Sequence, residues 1–237
     1  MNDFITKFKQ TTYYKNLLDE ADSDVLLMYV GGSRGRKLNT ELSDYDIVII
    51  TLDGKFNNPF KQVYLTYQGS RVHWYYCPVK WFFNSKCHSL YDYTGILTLA
   101  NVSAETTVYR NPKYDKLLTE LFKLRPELIR LACYSIFEFG KNYIASAIHT
   151  HNVVLDSSNK DLYFLCLASY YLFNEPFETE FLKALSMAKY AIPLSDEYKE
   201  KAIMQLIRLK NYFEQHPLDP PNTMNNLYNL LLTKAVV

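Results

Sequence analysis

The sequence predicts an α+β protein: a mixed sheet with flanking helices, followed by an all-α region. Three observations predict it. Short apolar runs rich in β-branched and aromatic residues are concentrated between residues 24 and 112. A helical period precedes them. Beyond Pro112 strand signal fades and helical spacing continues to the end. That change of pattern predicts two domains, 1–111 and 112–237.

Residues 3–20 read as a helix, because Phe4, Phe8, Tyr13, Leu17 and Leu18 recur at roughly helical spacing. "DVLLMYV" (24–30) is a short apolar run ending at glycine, as a buried strand does. "YDIVIITL" (45–52) is a second. "QVYLTY" (62–67), the turn "QGS" and "RVHWYYCP" (71–78) read as a hairpin. "VKWFFNSKC" (79–87) starts after a proline and reads as helical, and "TTVYRNP" (106–112) as one more short strand stopped by Pro112. Ile129, Ala132, Ile136, Phe139, Tyr143 and Ala147 then step by three or four, which predicts one apolar stripe on a helix. Segments 161–173, 177–191 and 195–215 read as further helices, the last opening on "SDE", a good N-terminal signal. "HPLDPPN" (216–222) breaks the pattern before a final helix to about Lys234.

Composition narrows the function classes. Hydrophobic residues make up 48% of the 237, so the chain can build a real core. A formal net charge of +1 gives no global field to attract nucleic acid or a membrane surface. Cys77, Cys87, Cys133 and Cys166 are far apart and form no CxxC pair, so they read as reduced, buried thiols with no disulfide-linked partner. The polar opening "MNDFITKFKQ" is unlike a signal peptide, and no apolar run approaches membrane-spanning length. A cytoplasmic protein with no membrane partner is the expectation.

The stretch that carries chemistry is "GGSRGRKLNTELSDYDIVII" (31–50). Asp44 and Asp46 lie at i and i+2 of a strand and so share a face. Like charges this close repel unless a cation lies between them. Oxygen ligands of this kind suit Mg²⁺ or Mn²⁺. Gly31 and Gly32 let backbone N–H groups approach an anion, Ser33 adds a hydroxyl, and a helix starting there would favour phosphate. Carboxylates for a metal beside a cradle for phosphates predict a metal–triphosphate site, and phosphoryl or nucleotidyl transfer as the reaction class.

The spacing resembles the DNA polymerase β-like nucleotidyltransferase superfamily, above all its small stand-alone members of the minimal or aminoglycoside type. A strand, Gly32-Ser33, about ten residues, and Asp44-x-Asp46 on the next strand match its signature, and Thr40 and Ser43 fit as well. The likeness spans roughly residues 20–110. It implies a catalytic domain over 1–111, followed by a helical domain. It implies transfer of an NMP, AMP as the expected one, from an NTP such as ATP to a hydroxyl on a small molecule, tRNA or protein. Asp44 and Asp46 would hold the metal and act in catalysis; Gly31, Gly32, Ser33, Arg34 and Ser43 would line the nucleotide. These enzymes usually carry a third carboxylate on a later strand. The matching strand here holds Arg71, His73 and Tyr75 on one face and Val72, Trp74 and Tyr76 on the other, with no acid on either. His73 stands where that acid is expected, as base, ligand or packed histidine. A fold that has lost catalysis and binds a nucleotide, an RNA or a protein is the alternative.

Blander readings accompany the rest. Arg34, Arg36 and Lys37 either touch phosphates or are solvated loop cations. His149 and His151 read as a polar cluster at a helix end. Trp74 and Trp81 read as core, with base stacking the other option.

Overall fold

The computed structural model describes residues 1–21, 24–41, 43–52, 65–83, 96–153, 161–187 and 193–236. Cys87, residues 62–64 of the hairpin, the end of 79–87 and residues 188–191 of the segment 177–191 lie outside them.

Two helices open the chain, α1 (Asn2–Lys9) and α2 (Thr12–Ala21). One helix was expected over 3–20. Thr11 divides it: its hydroxyl donates to the Phe8 carbonyl at 2.7 Å and accepts the Tyr14 N–H at 3.2 Å, ending one helix and capping the next. The strands are β1 (Val25–Val30), β2 (Tyr45–Thr51), β3 (Leu65–Tyr67), β4 (Ser70–Pro78) and β5 (Thr107–Arg110), with the four-residue α3 (Gly32–Gly35) between β1 and β2. They form a mixed sheet in the order β3-β4-β2-β1-β5. Only β2 and β4 pair in parallel; the other neighbours are antiparallel. The expected hairpin is present: Gln68 and Gly69, at φ 49° and 80°, make the two-residue turn that matches strand twist. Val79–Phe83 is a 3₁₀ turn rather than an α-helix over these residues.

Alternation divides the sheet into two faces. Met28, Val30, Ile47, Ile49, Val72, Trp74, Tyr76 and Val108 form one buried cluster with Phe4, Ile5 and Phe8 of α1. Trp74 is therefore core. Tyr45, at the start of β2, belongs to the same face and stacks on Phe4 with ring centroids 3.9 Å apart. Leu27, Tyr29, Val48, Ile50, His73 and Cys77 occupy the other face and are buried as well. Burial pushes the Cys77 thiol up to about 12, and all three described cysteines are free and buried.

Beyond β5 the described residues form helices: α4 (Asp115–Thr150), α5 (Asp161–Phe173), α6 (Thr179–Met187), α7 (Asp196–Gln215) and α8 (Pro220–Val236). Ser195 caps α7 by accepting the Tyr198 N–H at 3.2 Å. On α4 the expected stripe is corrected at Phe139, which is 52% exposed. The inward line runs through Ala132, Ile136, Gly140, Ile144 and Ala147, one turn apart, and Gly140 lets Leu165 lie against the α4 backbone. His151 ends α4 in the left-handed conformation and meets Glu200 at 2.9 Å, a surface contact. The chain forms two compact units that divide α4 at Pro126; the sheet, α1 to α3 and residues 226 onward belong to one, and α5, α6 and α7 to the other. No described helix is long and apolar enough to cross a membrane.

Candidate active site

The turn after β1 is built around Asp46. The Gly31 N–H donates to the Asp46 carbonyl at 2.8 Å, fastening the turn to β2. Gly31 is thus committed through its own N–H, whereas no main-chain bond engages the N–H groups of Gly32 and Ser33 among the described residues. Gly32 is left-handed, at φ 57°. A Cβ there would fall inside the Asp46 carboxylate. Only glycine satisfies both conditions. The Ser33 hydroxyl, half-buried, has no hydrogen-bond partner among the described residues. Since α3 spans only four residues, its dipole adds little to the turn.

Arg34 holds the loop together. Its Nη2 donates to the Ser43 carbonyl at 2.7 Å and the Ser70 hydroxyl at 3.2 Å, while Nε reaches the Ser43 and Asp44 carbonyls at 3.2 Å. Its guanidinium lies 3.8 Å from the centre of the Tyr45 ring. Phe4 stacks at 3.9 Å from the same ring, so the two sandwich it. Ser43 accepts the Thr40 N–H at 2.9 Å and closes a turn. Arg34, through Nε and Nη2, and Ser43, through its hydroxyl and carbonyl, therefore set the entry to β2. Lys37 pairs with Glu105 on the surface.

The parallel register of β2 and β4 brings the remaining residues together. Asp46 lies opposite His73. Their closest approach is 3.9 Å, from His73 Nδ1 to Asp46 Oδ1. The Tyr75 hydroxyl donates to Asp46 Oδ1 at 3.3 Å and lies 3.4 Å from His73 Nδ1. Asp44 falls one residue before the strand rather than on it. Arg71 grips it with a two-point contact, Nε to Oδ1 and Nη2 to Oδ2, each 3.3 Å. Arg71, His73 and Tyr75 thus present one polar face to Asp44 and Asp46, as the alternation of "RVHWYYCP" implied. Tyr75 is the partner that reasoning from sequence passed over, although its place two residues beyond His73 was the available signal.

Electrostatics single out Asp46. Burial raises its carboxyl above the ordinary 3.8, opposed by the nearby charges of His73 and Arg36 and reinforced by Asp44. The two aspartates therefore feel each other. His73 is 9% exposed, and its Nε2 is buried.

No group of three or more His, Cys, Asp or Glu side chains that could hold a metal ion occurs among the described residues. Two carboxylates suit a Mg²⁺-class ion when phosphate oxygens and waters complete the shell, so the donor set fits a metal–nucleotide complex better than a bare resident ion.

No protein-family model matches the chain, and no curated protein matches it. Among solved structures it is similar to a nucleotidyltransferase-like protein from Exiguobacterium sibiricum, at 15% identity and a TM-score of 0.34, over 91% of this chain and 76% of that one.

Proposed function

We propose that the chain is a metal-dependent nucleotidyltransferase that moves an NMP, with AMP favoured, from an NTP to an acceptor hydroxyl. One observation carries the reading: a half-buried Asp46 carboxylate fills the space where Gly32 lacks a side chain, with Asp44 close enough to raise its carboxyl further. A carboxylate kept where burial disfavours it marks a site with work for it. The Gly32 and Ser33 N–H groups and the Ser33 hydroxyl hold the outer phosphates. Asp44 and Asp46 would hold Mg²⁺ or Mn²⁺, which when bound neutralises phosphate charge and polarises the reacting phosphorus. The acceptor oxygen forms a bond to the α-phosphorus as the bond to the β-phosphate oxygen breaks, and pyrophosphate leaves. His73 Nδ1 and the Tyr75 hydroxyl orient Asp46 and steady its charge while the acceptor's proton passes to solvent water.

A retired enzyme that binds nucleotide without transfer is the second reading. The buried Nε2 of His73 and the missing third carboxylate favour it, because no acid here faces the acceptor as a ready base. Labelled ATP, Mg²⁺ or Mn²⁺ and a panel of RNA, protein and small hydroxyl acceptors decide between them. Wild type should transfer label, and Asp46→Asn should reduce transfer by about 10²-fold or more. Nucleotide binding with no transfer to any acceptor class would replace the enzyme by the binder; equal turnover in Asp46→Asn would remove Asp46 from the chemistry.

A further inference from the structure

Arg71 occupies an unusual position for a site that expects a metal. Its guanidinium makes the two-point contact with Asp44 described above, where a cation-binding carboxylate would otherwise be open. The pair is asymmetric: the Arg71 side chain is 62% exposed and the Asp44 side chain 27%. Arg71 thus lies mostly in solvent, whereas the main chain of Asp44 is anchored by Arg34 at its carbonyl, 3.2 Å away. At 3.3 Å on both arms the contacts are long for a charge-assisted pair, and exposed pairs of this kind are weak. A phosphate is an equally good bidentate partner for guanidinium and carries more charge than a carboxylate.

We infer that Arg71 is a nucleotide-operated latch on Asp44. In the free protein its guanidinium stands in for the metal's charge and relieves the repulsion between Asp44 and Asp46. An arriving triphosphate draws the guanidinium onto its oxygens, and Asp44 is released as a ligand at the moment a metal-bearing nucleotide is present. The inference rests on the metal–nucleotide reading of the site. Its consequence is an order of events: the nucleotide engages first or together with the metal, and the bare ion binds weakly.

The latch predicts opposite effects from one substitution. Mn²⁺ binding without nucleotide is read by electron paramagnetic resonance, and ATP binding in excess chelator by calorimetry, on wild type, Arg71→Gln and Arg71→Lys. Arg71→Gln should tighten Mn²⁺ alone by about three- to tenfold, since an exposed ion pair and a like-charge neighbour are removed. It should weaken metal-free ATP by a similar factor. Arg71→Lys, which keeps charge but loses the fork, should fall between. A purely structural Arg71 would not move the two affinities in opposite directions. If wild type binds Mn²⁺ in the presence of ATP while Arg71→Gln leaves the affinity for Mn²⁺ alone unchanged, the latch is wrong and the metal–nucleotide site stands. If wild type takes up no Mn²⁺ even with ATP, the metal–nucleotide site fails and the latch falls with it.

Discussion

Along one face of β2, Tyr45, Ile47 and Ile49 pack without interruption against α1 and the neighbouring strands. Along the other, Val48 and Ile50 are equally buried, but the line begins with Asp46. The same strand therefore carries two different kinds of face. One is apolar from Tyr45 to Ile49, and those residues serve packing. The other is apolar only until it reaches the glycine turn, where a carboxylate replaces the aliphatic that burial alone would select. The difference puts the proposed site at one end of one face, beside Gly32, and sets it apart from the residues that build the sheet.

The sharpest way to break the comparison is on the packing face. Ile47 is fully buried in the cluster under α1. Ile47→Ala should cost about 2–5 kcal/mol in denaturant unfolding, through lost transfer energy and a residual cavity. ATP affinity of the folded protein should change by less than about twofold, because the side chain points away from Asp46. A loss of nucleotide binding larger than the loss of stability would show that the faces are not separable.

A smaller effect tests the turn. Gly32→Ala and Gly69→Ala both place a side chain at a left-handed glycine, at φ 57° and 80°. Backbone strain alone costs about 1–2 kcal/mol at each. At Gly69 a Cβ meets nothing within 4 Å, so strain is the whole effect. At Gly32 the Cβ also displaces the Asp46 carboxylate. Gly32→Ala should therefore lower ATP affinity by about tenfold or more while Gly69→Ala leaves it alone. Equal ATP binding by both variants would place the triphosphate elsewhere.

How much of this was legible in sequence follows from the same physics. β1, β2, the hairpin and β5 announced themselves through short apolar runs and turn residues, because a strand's signal is local. The carboxylate pair and the glycine turn were legible because their spacing is fixed by one connection. The break at Thr11 was hidden, since a threonine hydroxyl in a helical period looks like any other polar position until its partners are known. Phe139 was misplaced because steps of three and four admit several stripes on a long helix, and only tertiary packing selects one. The pairing of Asp44 with Arg71 and of Asp46 with His73 and Tyr75 needed the parallel register of β2 and β4, a non-local fact no period encodes. The engagement of Arg34 with main-chain carbonyls needed the fold for the same reason.

The smallest effect isolates the charge itself. Asp46 titrates above its ordinary 3.8 because burial disfavours its anion, with Asp44 acting in the same direction and His73, Arg36 and the Tyr75 hydroxyl opposing it. The sign follows directly. Well below pH 3.8 the carboxyl is neutral in folded and unfolded chains alike, and it contributes nothing. As pH rises, the unfolded chain ionises first, so the folded chain holds the extra proton and loses stability until the raised value is passed. Above it the penalty is constant. Asp46→Asn removes that penalty at nearly constant shape. The side chain is 26% exposed, and an amide makes a poorer partner for His73, so the net gain is smaller than the burial penalty alone. The variant should therefore melt above wild type near neutral pH, and the gap should close on acidification through the window just above 3.8. A gap of the same size at about pH 3 and about pH 7 would mean that shape, not charge, separates the two residues. A variant less stable than wild type at neutral pH would mean that His73, Arg36 and Tyr75 more than offset the burial, and that the site holds its anion without strain.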